Sequence, residues 1–420
     1  MEDEIPLQAK ACGSFLSTRM KKLNLLVMGT TFPRWENDTE ATFVKDLSYE
    51  LSKYFNVNVL VPHYKGLKLY DSKEKLKIYR FIYFYPTSLE KLAYGGILPN
   101  LKKNPLLWIE TPFLFLSELI KTFEIIKKEN IEVLHTHWIF PQGLVGAISK
   151  KFFKIKHLST IHAGDIIALK KIPFSNYIIN FIVKNTDKIT SVSSFGKNKL
   201  LEIANKSLKE EINKKVRILP MGTYLEQFKK RKLKRGRVKN ILFVGRLAEK
   251  KGVSYLIKAI SLLNKEVRLL IIGDGPLKKD LLSLTNKLNL KNKIEFLGYK
   301  TGKEKLKYFF DADLLVVPSI VTKIGDTEGL PVVIMEGLAS GLPIIATDVG
   351  GIKEIIKNGY NGLIIKEKNS KEIANKIKLV IENNKFKRRL SINAKKSSRN
   401  YDWGYISKKY ADLIFDLANN

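Results

Sequence analysis

The run Asp326–Gly351 constrains the fold more tightly than any other part of the chain: Asp-Thr-Glu-Gly-Leu-Pro-Val-Val-Ile-Met-Glu-Gly-Leu-Ala-Ser-Gly-Leu-Pro-Ile-Ile-Ala-Thr-Asp-Val-Gly-Gly. Pro331 presets φ for a first helical turn, and Gly341 followed by Pro343 is a stop, which predicts a helix over about 331–340. Ile344 to Thr347 then reads as a strand. Strands and helices alternate in this way through both halves of the chain, the pattern of an α/β fold.

Two carboxylates give this stretch a purpose beyond packing. Glu328 stands in the loop before the helix, and Glu336 about a turn and a half inside it, among Val332, Val333, Ile334, Met335, Leu338 and Ala339. A charge in such company is paired, exposed or turned toward a ligand. Gly337 and Ser340, read as sharing its face, are small enough to let a ligand approach. The N–H groups of Gly329 and Leu330 at the helix start suit a phosphate, and carboxylates beside it accept hydrogen bonds from sugar hydroxyls. Taken alone, Glu336 is equally readable as a solvated glutamate on an amphipathic helix.

At 420 residues the chain predicts two domains of roughly 200 residues each. Its single cysteine, Cys12, excludes an intramolecular disulfide and a zinc site built on several thiolates, which fits a reducing, cytoplasmic setting. The start Met-Glu-Asp-Glu lacks the pattern of a secretory signal, and residues 1–20 read as an extension outside the fold. Glu110, Pro112 and Glu118 interrupt the most apolar region, 105–120, so no membrane span is expected. A net charge of +33 points to anionic partners: nucleotides, lipid headgroups or nucleic acid. The basic residues are dispersed and no RNA or DNA module accompanies them, so nucleic acid is not the expected partner. The one dense run, Lys229 to Lys239, reads as a solvated linker or as a membrane-surface segment.

Along the chain, Met20 to Gly29 reads as the opening strand, followed by a polar loop with Arg34 as a candidate anion contact. A helix over 40–54, a strand over 56–61, a helix over 113–127 and a strand over 131–135 follow. His135 and His137 point to one side of an extended segment, yet no third ligand is apparent, so no metal is expected. A strand over 157–161 ends in His162-Ala-Gly-Asp165, and the carboxyl end of a strand is where open α/β sheets place ligands. The second half opens with a strand from Asn240, then Gly245, Arg246 and Lys251 before a helix, which together make an anion clamp. Gly273-Asp-Gly275 fails the dinucleotide fingerprint because Lys278 stands where its third glycine belongs. Asp311-Ala-Asp313 reads as a helix-to-strand junction rather than a manganese site.

These segments resemble the donor site of glycosyltransferase family 4 (the group 1 glycosyltransferases) in the GT-B superfamily. The resemblance rests on Glu328-Gly-Leu-Pro to Glu336-Gly, the following Gly-Leu-Pro-Ile-Ile-Ala-Thr-Asp-Val-Gly-Gly, Gly245-Arg246 with Lys251, and His162 with Asp165. It implies two Rossmann-like α/β domains facing across a cleft: an acceptor domain over 21–223, a donor domain over 224–403, and a last helix, 404–418, returning to the first domain. By that match Glu328 contacts the donor sugar, Glu336 the ribose, Arg246 and Lys251 the diphosphate, and His162 the sugar near its reacting carbon. Gly245, Gly329 and Leu330 complete the donor set, with Arg34 and Asp165 on the acceptor side. The first loop departs from the family, since Asp38-Thr-Glu40-Ala-Thr42 lacks its glycine pair. The implied reaction is retaining hexosyl transfer from a nucleoside-diphosphate sugar to a glycan or lipid-linked acceptor, without metal or other cofactor, at or near an anionic membrane surface. A nucleotide-sugar epimerase of the same architecture and a basic nucleic-acid-binding protein are the rival readings.

Overall fold

The computed structural model describes residues 22–38, 40–170, 172–228, 239–263 and 267–419. The expected N-terminal extension, Cys12, and all but Lys239 of the basic run lie outside the described residues.

The first sheet contains β1 (Asn24–Met28), β2 (Asn56–Pro62), β3 (Tyr70–Lys73), β4 (Leu76–Phe81), β5 (Val133–His137), β6 (Lys156–Ile161), β7 (Lys188–Ser191) and β8 (Val216–Ile218). Its order is β3-β4-β2-β1-β5-β6-β7-β8, parallel except where the edge strand β3 folds back on β4. The second sheet contains β9 (Lys239–Val244), β10 (Val267–Ile272), β11 (Ile294–Gly298), β12 (Leu314–Val317), β13 (Ile344–Thr347) and β14 (Leu363–Ile365). It is parallel throughout, in the order β11-β10-β9-β12-β13-β14. Strand order reverses between β1 and β5 and between β9 and β12, and ligands of open α/β sheets bind outside the carboxyl ends at such points.

Parallel strands are covered on both faces, so their sequences read as continuous apolar runs. In β10, Leu269 and Ile271 enter one core while Leu270 and Ile272 enter the other, the alternation a pleated strand imposes. The predicted helix of the opening stretch is Val332–Ser340, with Pro331 just outside it in an extended conformation. β5 runs through His137, two residues beyond its expected end, because its last residues pair with β6. The hairpin β3–β4 and the helix Asn384–Ser398 have no counterpart in the sequence reading.

The last helix, Trp403–Asn419, sets Ile406, Tyr410, Ile414 and Leu417 against Leu25, Val27, Leu47 and Leu51 of the first domain. The chain thus crosses between domains twice, and the two crossings are hydrogen-bonded side by side. Thr223 N–H donates to the Tyr401 carbonyl at 2.8 Å and Trp403 N–H to the Thr223 carbonyl at 3.1 Å. Among the described residues, no helix is long and apolar enough to cross a membrane.

The helix Glu110–Lys128 buries Glu118 completely, where Gln142 Nε2 donates to both of its oxygens at 3.2 Å. Burial pushes this carboxyl up to about 8. A group raised this way stabilises the fold fully below the ordinary carboxylate range and loses that contribution as pH rises through about 8. Between pH 5 and 8, wild type should therefore lose roughly 1.4 kcal/mol per pH unit relative to Glu118→Gln. Urea denaturation of both proteins across that range tests this, and parallel pH dependences would rule it out.

Candidate active site

The ends of β5 and β6 build the first wall of the site. Just beyond them Trp138 (φ 72°) and Ala163 (φ 77°) turn the chain in conformations that non-glycine residues rarely adopt. Asp165 holds both turns in place. Its Oδ2 accepts from Ile139 N–H at 2.7 Å and its Oδ1 from His162 N–H at 3.2 Å, while burial pushes the carboxyl up to about 6. Asp165, read as lying on the acceptor side, is buried in the first domain, and both of its oxygens tie strand ends together.

His162 is packed between Phe43 and Trp138, with ring centroids at 4.9 and 5.1 Å. Burial pushes its imidazole down to about 3, so it is neutral at pH 7. Its Nε2 shares a hydrogen bond with Nδ1 of the fully buried His137 at 3.0 Å. His135 Nε2 meets the Thr160 hydroxyl at 2.8 Å. The alternating histidines do lie on one side of the sheet, where they form a polar row inside the core that reaches His162.

The second wall carries Glu328. Lys251 Nζ lies 3.0 Å from its Oε2, and Lys250 Nζ lies 4.0 Å from its Oε1 and 3.3 Å from Asp326. Burial pushes the Glu328 carboxyl up, but the ammonium groups of Lys251 and Lys250 outweigh it and hold the group below the usual carboxylate range. Oε1 is buried without a hydrogen-bond partner among the described residues. A buried, ionised oxygen in that state is an acceptor for a hydroxyl.

The two walls touch through glycines. A Cβ at Gly329 would lie 2.4 Å from the His162 carbonyl oxygen, so only glycine brings the second domain's backbone this close to the first. Gly350 (φ 57°) packs so that a Cβ would lie 2.0 Å from the Glu328 carbonyl, which seats the Glu328 loop. Leu330 packs against the cores of both domains.

Glu336 faces a second part of the cleft, about 430 Å³, shared with Phe43, Asp46, Tyr299, Lys305 and Val332. Lys305 Nζ pairs with its Oε1 at 2.6 Å. On the opposite wall, burial pushes Asp46 up to about 6 despite a 2.6 Å hydrogen bond from the Thr42 hydroxyl. The reading of Gly337 and Ser340 as a ligand face is corrected. A Cβ at Gly337 would lie 2.5 Å from the Leu315 side chain, and Ser340 is buried with its hydroxyl on the Glu336 carbonyl. Small residues there let the helix lie close on the sheet.

Gly245 N–H continues the sheet by donating to the Ile272 carbonyl at 2.9 Å, and the next residue, Arg246, reaches across the cleft. Its Nη1 donates to the Gly95 carbonyl at 2.7 Å, while Gly95 N–H donates to Glu40 at 2.7 Å. Tyr299 and Thr301 also bridge the domains, onto Asp38 and Asn37 at 2.9 and 2.7 Å. Arg34 does not point freely at a ligand: it is forked on Asp38 at 2.8 and 2.7 Å and packed over Trp35 and Tyr64. It borders a separate pocket of about 400 Å³ with Glu40, Lys65, Lys91 and Tyr94. Asp313 is spent on Asn240 N–H at 3.0 Å and on Lys387. The sequence reading missed Gly95, Tyr299 and Lys305. For Tyr299, the signal was its place just after Gly298, at the carboxyl end of β11.

Two parallel α/β domains closed over a cleft, with basic residues, a buried carboxylate and an apposed histidine at the strand ends, make the GT-B arrangement. Residues 225–397 match the glycosyl transferases group 1 family, and residues 41–226 match Glycosyltransferase Family 4. An uncharacterized glycosyltransferase of Methanocaldococcus jannaschii is 32% identical over 367 residues, 84% of this chain and 95% of that protein. The chain belongs to the group 1, family 4 glycosyltransferases. Its fold is shared by sucrose-phosphate synthase from Thermosynechococcus elongatus, with a TM-score of 0.76 at 18% identity, covering 94% of this chain and 99% of that one. It is shared also by Anabaena HepE, solved in complex with UDP, with a TM-score of 0.68 at 17% identity, covering 94% and 100%.

Gly329→Ala should wedge the domains apart at His162. Small-angle scattering should show a larger radius of gyration, and turnover should fall about 10²-fold through misplacement of the two walls. An unchanged scattering curve with full turnover would refute the wedge.

Proposed function

We propose that the protein is a retaining glycosyltransferase, moving a hexosyl group from a nucleoside-diphosphate sugar to a glycan or lipid-linked acceptor at the cytoplasmic face of a membrane. One observation carries the reading: the buried Glu328 is kept ionised by Lys251, with one oxygen left open to a hydroxyl, where His162 closes in from the other domain. An anionic donor matches the basic residues at this wall, and the UDP complex of Anabaena HepE supports a nucleotide donor. In this reading the nucleoside occupies the cleft beside Tyr299 and Glu336 receives the ribose hydroxyls, with Lys305 Nζ holding its Oε1 at 2.6 Å.

The diphosphate falls to Arg246 and Lys251. A phosphate oxygen is a stronger acceptor than the peptide carbonyl of Gly95, so a bound donor draws the Arg246 guanidinium to itself. As the sugar–phosphate bond breaks, negative charge grows on the leaving diphosphate and these two cations neutralise it without a metal step. Glu328 orients the sugar and the neutral His162 braces it. Attack comes from the leaving-group face, and the diphosphate takes the acceptor proton, so no protein base is assigned.

A thermal-shift panel of UDP, GDP and ADP and then their sugars identifies the donor. With that donor, Arg246→Ala, Lys251→Ala and Glu328→Ala should each lower turnover about 10²- to 10³-fold, or roughly 3 to 4 kcal/mol of transition-state stabilisation. Wild type should keep its activity in EDTA. Full activity in the three variants, or loss of wild-type activity in EDTA, would overturn this division of roles.

A further inference from the structure

Exposed apolar side chains are ordinarily scattered, but here many gather on one element of the first domain. The helix Glu110–Lys128 packs Leu114, Thr122 and Ile125 inward, yet its outer face carries Phe113, Leu116 and Ile120, exposed by 50, 52 and 60%. With the exposed Ile109 just before the helix, these residues recur at spacings of four, three and four, which places them on one outward stripe. A helix apolar on both faces is one that expects cover on both. Aromatic contacts extend the stripe at each end: Phe84 meets Phe113 at 5.5 Å, and Phe123 meets the exposed Phe152 at 5.5 Å.

The charges around the stripe decide what covers it. Lys102 and Lys103 are exposed just before it, Lys127 and Lys128 just after it, and the one exposed acid on the helix, Glu124, is paired with Lys121 at 2.8 Å. A second copy carrying the same net charge of +33 is repelled, whereas anionic headgroups are attracted. The exposed Trp108 beside the stripe is a side chain that favours the boundary between headgroups and acyl chains. We infer that the stripe Ile109, Phe113, Leu116 and Ile120 seats the first domain in an anionic lipid surface, with the flanking lysines on the headgroups. The inference rests on the proposed lipid-linked acceptor and gives that acceptor a route. Glu110, at the start of the helix, accepts from the N–H groups of Lys91 and Leu92 at 3.2 and 3.1 Å. Three residues further on, Gly95 holds Arg246. The lipid face and the donor site are joined by one short segment.

The test is co-sedimentation of the full chain with vesicles of phosphatidylglycerol and phosphatidylcholine at low and high salt. It compares wild type, Phe113→Ser/Leu116→Ser/Ile120→Ser, and Lys102→Glu/Lys103→Glu. Wild type should pellet with the anionic vesicles, the triple serine variant should bind about tenfold less or weaker at either salt, and the charge variant should lose most of its binding at low salt. The nucleotide-induced thermal shift should be the same in all three proteins, which shows that each is folded. Wild type left in the supernatant, or a triple variant that pellets like wild type, overturns the inference. So does a lipid-free dimer that the triple variant dissolves, since a second copy would then be the cover. If no nucleotide shifts wild type while vesicle binding stands, the glycosyltransfer reading fails and the lipid surface survives.

Discussion

A carboxylate buried where two domains meet costs several kcal/mol to desolvate unless a cation is fixed beside it. In this protein that pairing is Glu328 with Lys251, and much of the surrounding structure follows from it. Lys251 is placed by the turn after β9, immediately before the helix Val253–Ser261. Glu328 is placed by the loop that Gly350 allows to pack tightly. The two residues come from opposite sides of the point where strand order reverses in the second sheet, so the ion pair forms only when β9 and β12 are adjacent. The site is therefore a readout of correct sheet assembly.

The first domain contributes shape rather than charge. At the ends of β5 and β6 its His135 and His162 are both pushed down to about 3 by burial and are neutral at pH 7, and its strained turns are locked by Asp165. A sugar placed there meets rings and neutral polar groups on one side and ions on the other. That asymmetry suits the proposed transfer, in which charge develops on the leaving diphosphate and is met from the second domain.

How much of this could be read from the sequence varied with the kind of signal. The second sheet was legible because strands buried on both faces leave apolar runs such as Val267–Ile272 and Ile344–Thr347, each closed by a turn. The family resemblance, through the spacing of Glu328 and Glu336 and the pair Arg246 and Lys251, likewise marked residues that the fold brings to the cleft. Residues 63–112 were not assigned, since a short antiparallel hairpin and brief turns leave no long apolar run, and side-chain contacts such as His63 with Glu90 join positions 27 residues apart. The partner of Glu336, Lys305, lies 31 positions away, and no local pattern could name it. Gly337 misled because a small residue beside a charge looks the same whether it admits a ligand or a sheet; only the position of Leu315 decides.

The two side-by-side chain crossings at Thr223 and Trp403 bear on how this molecule opens. A single tether would let one domain tumble on the other, whereas two tethers bonded together act as the paired pins of a door and leave one easy axis of rotation. A swing about that axis would lift Gly329 from His162 and Arg246 from Gly95 together. The same arrangement makes the molecule resistant to separation: a cut through either crossing leaves the halves joined by the other.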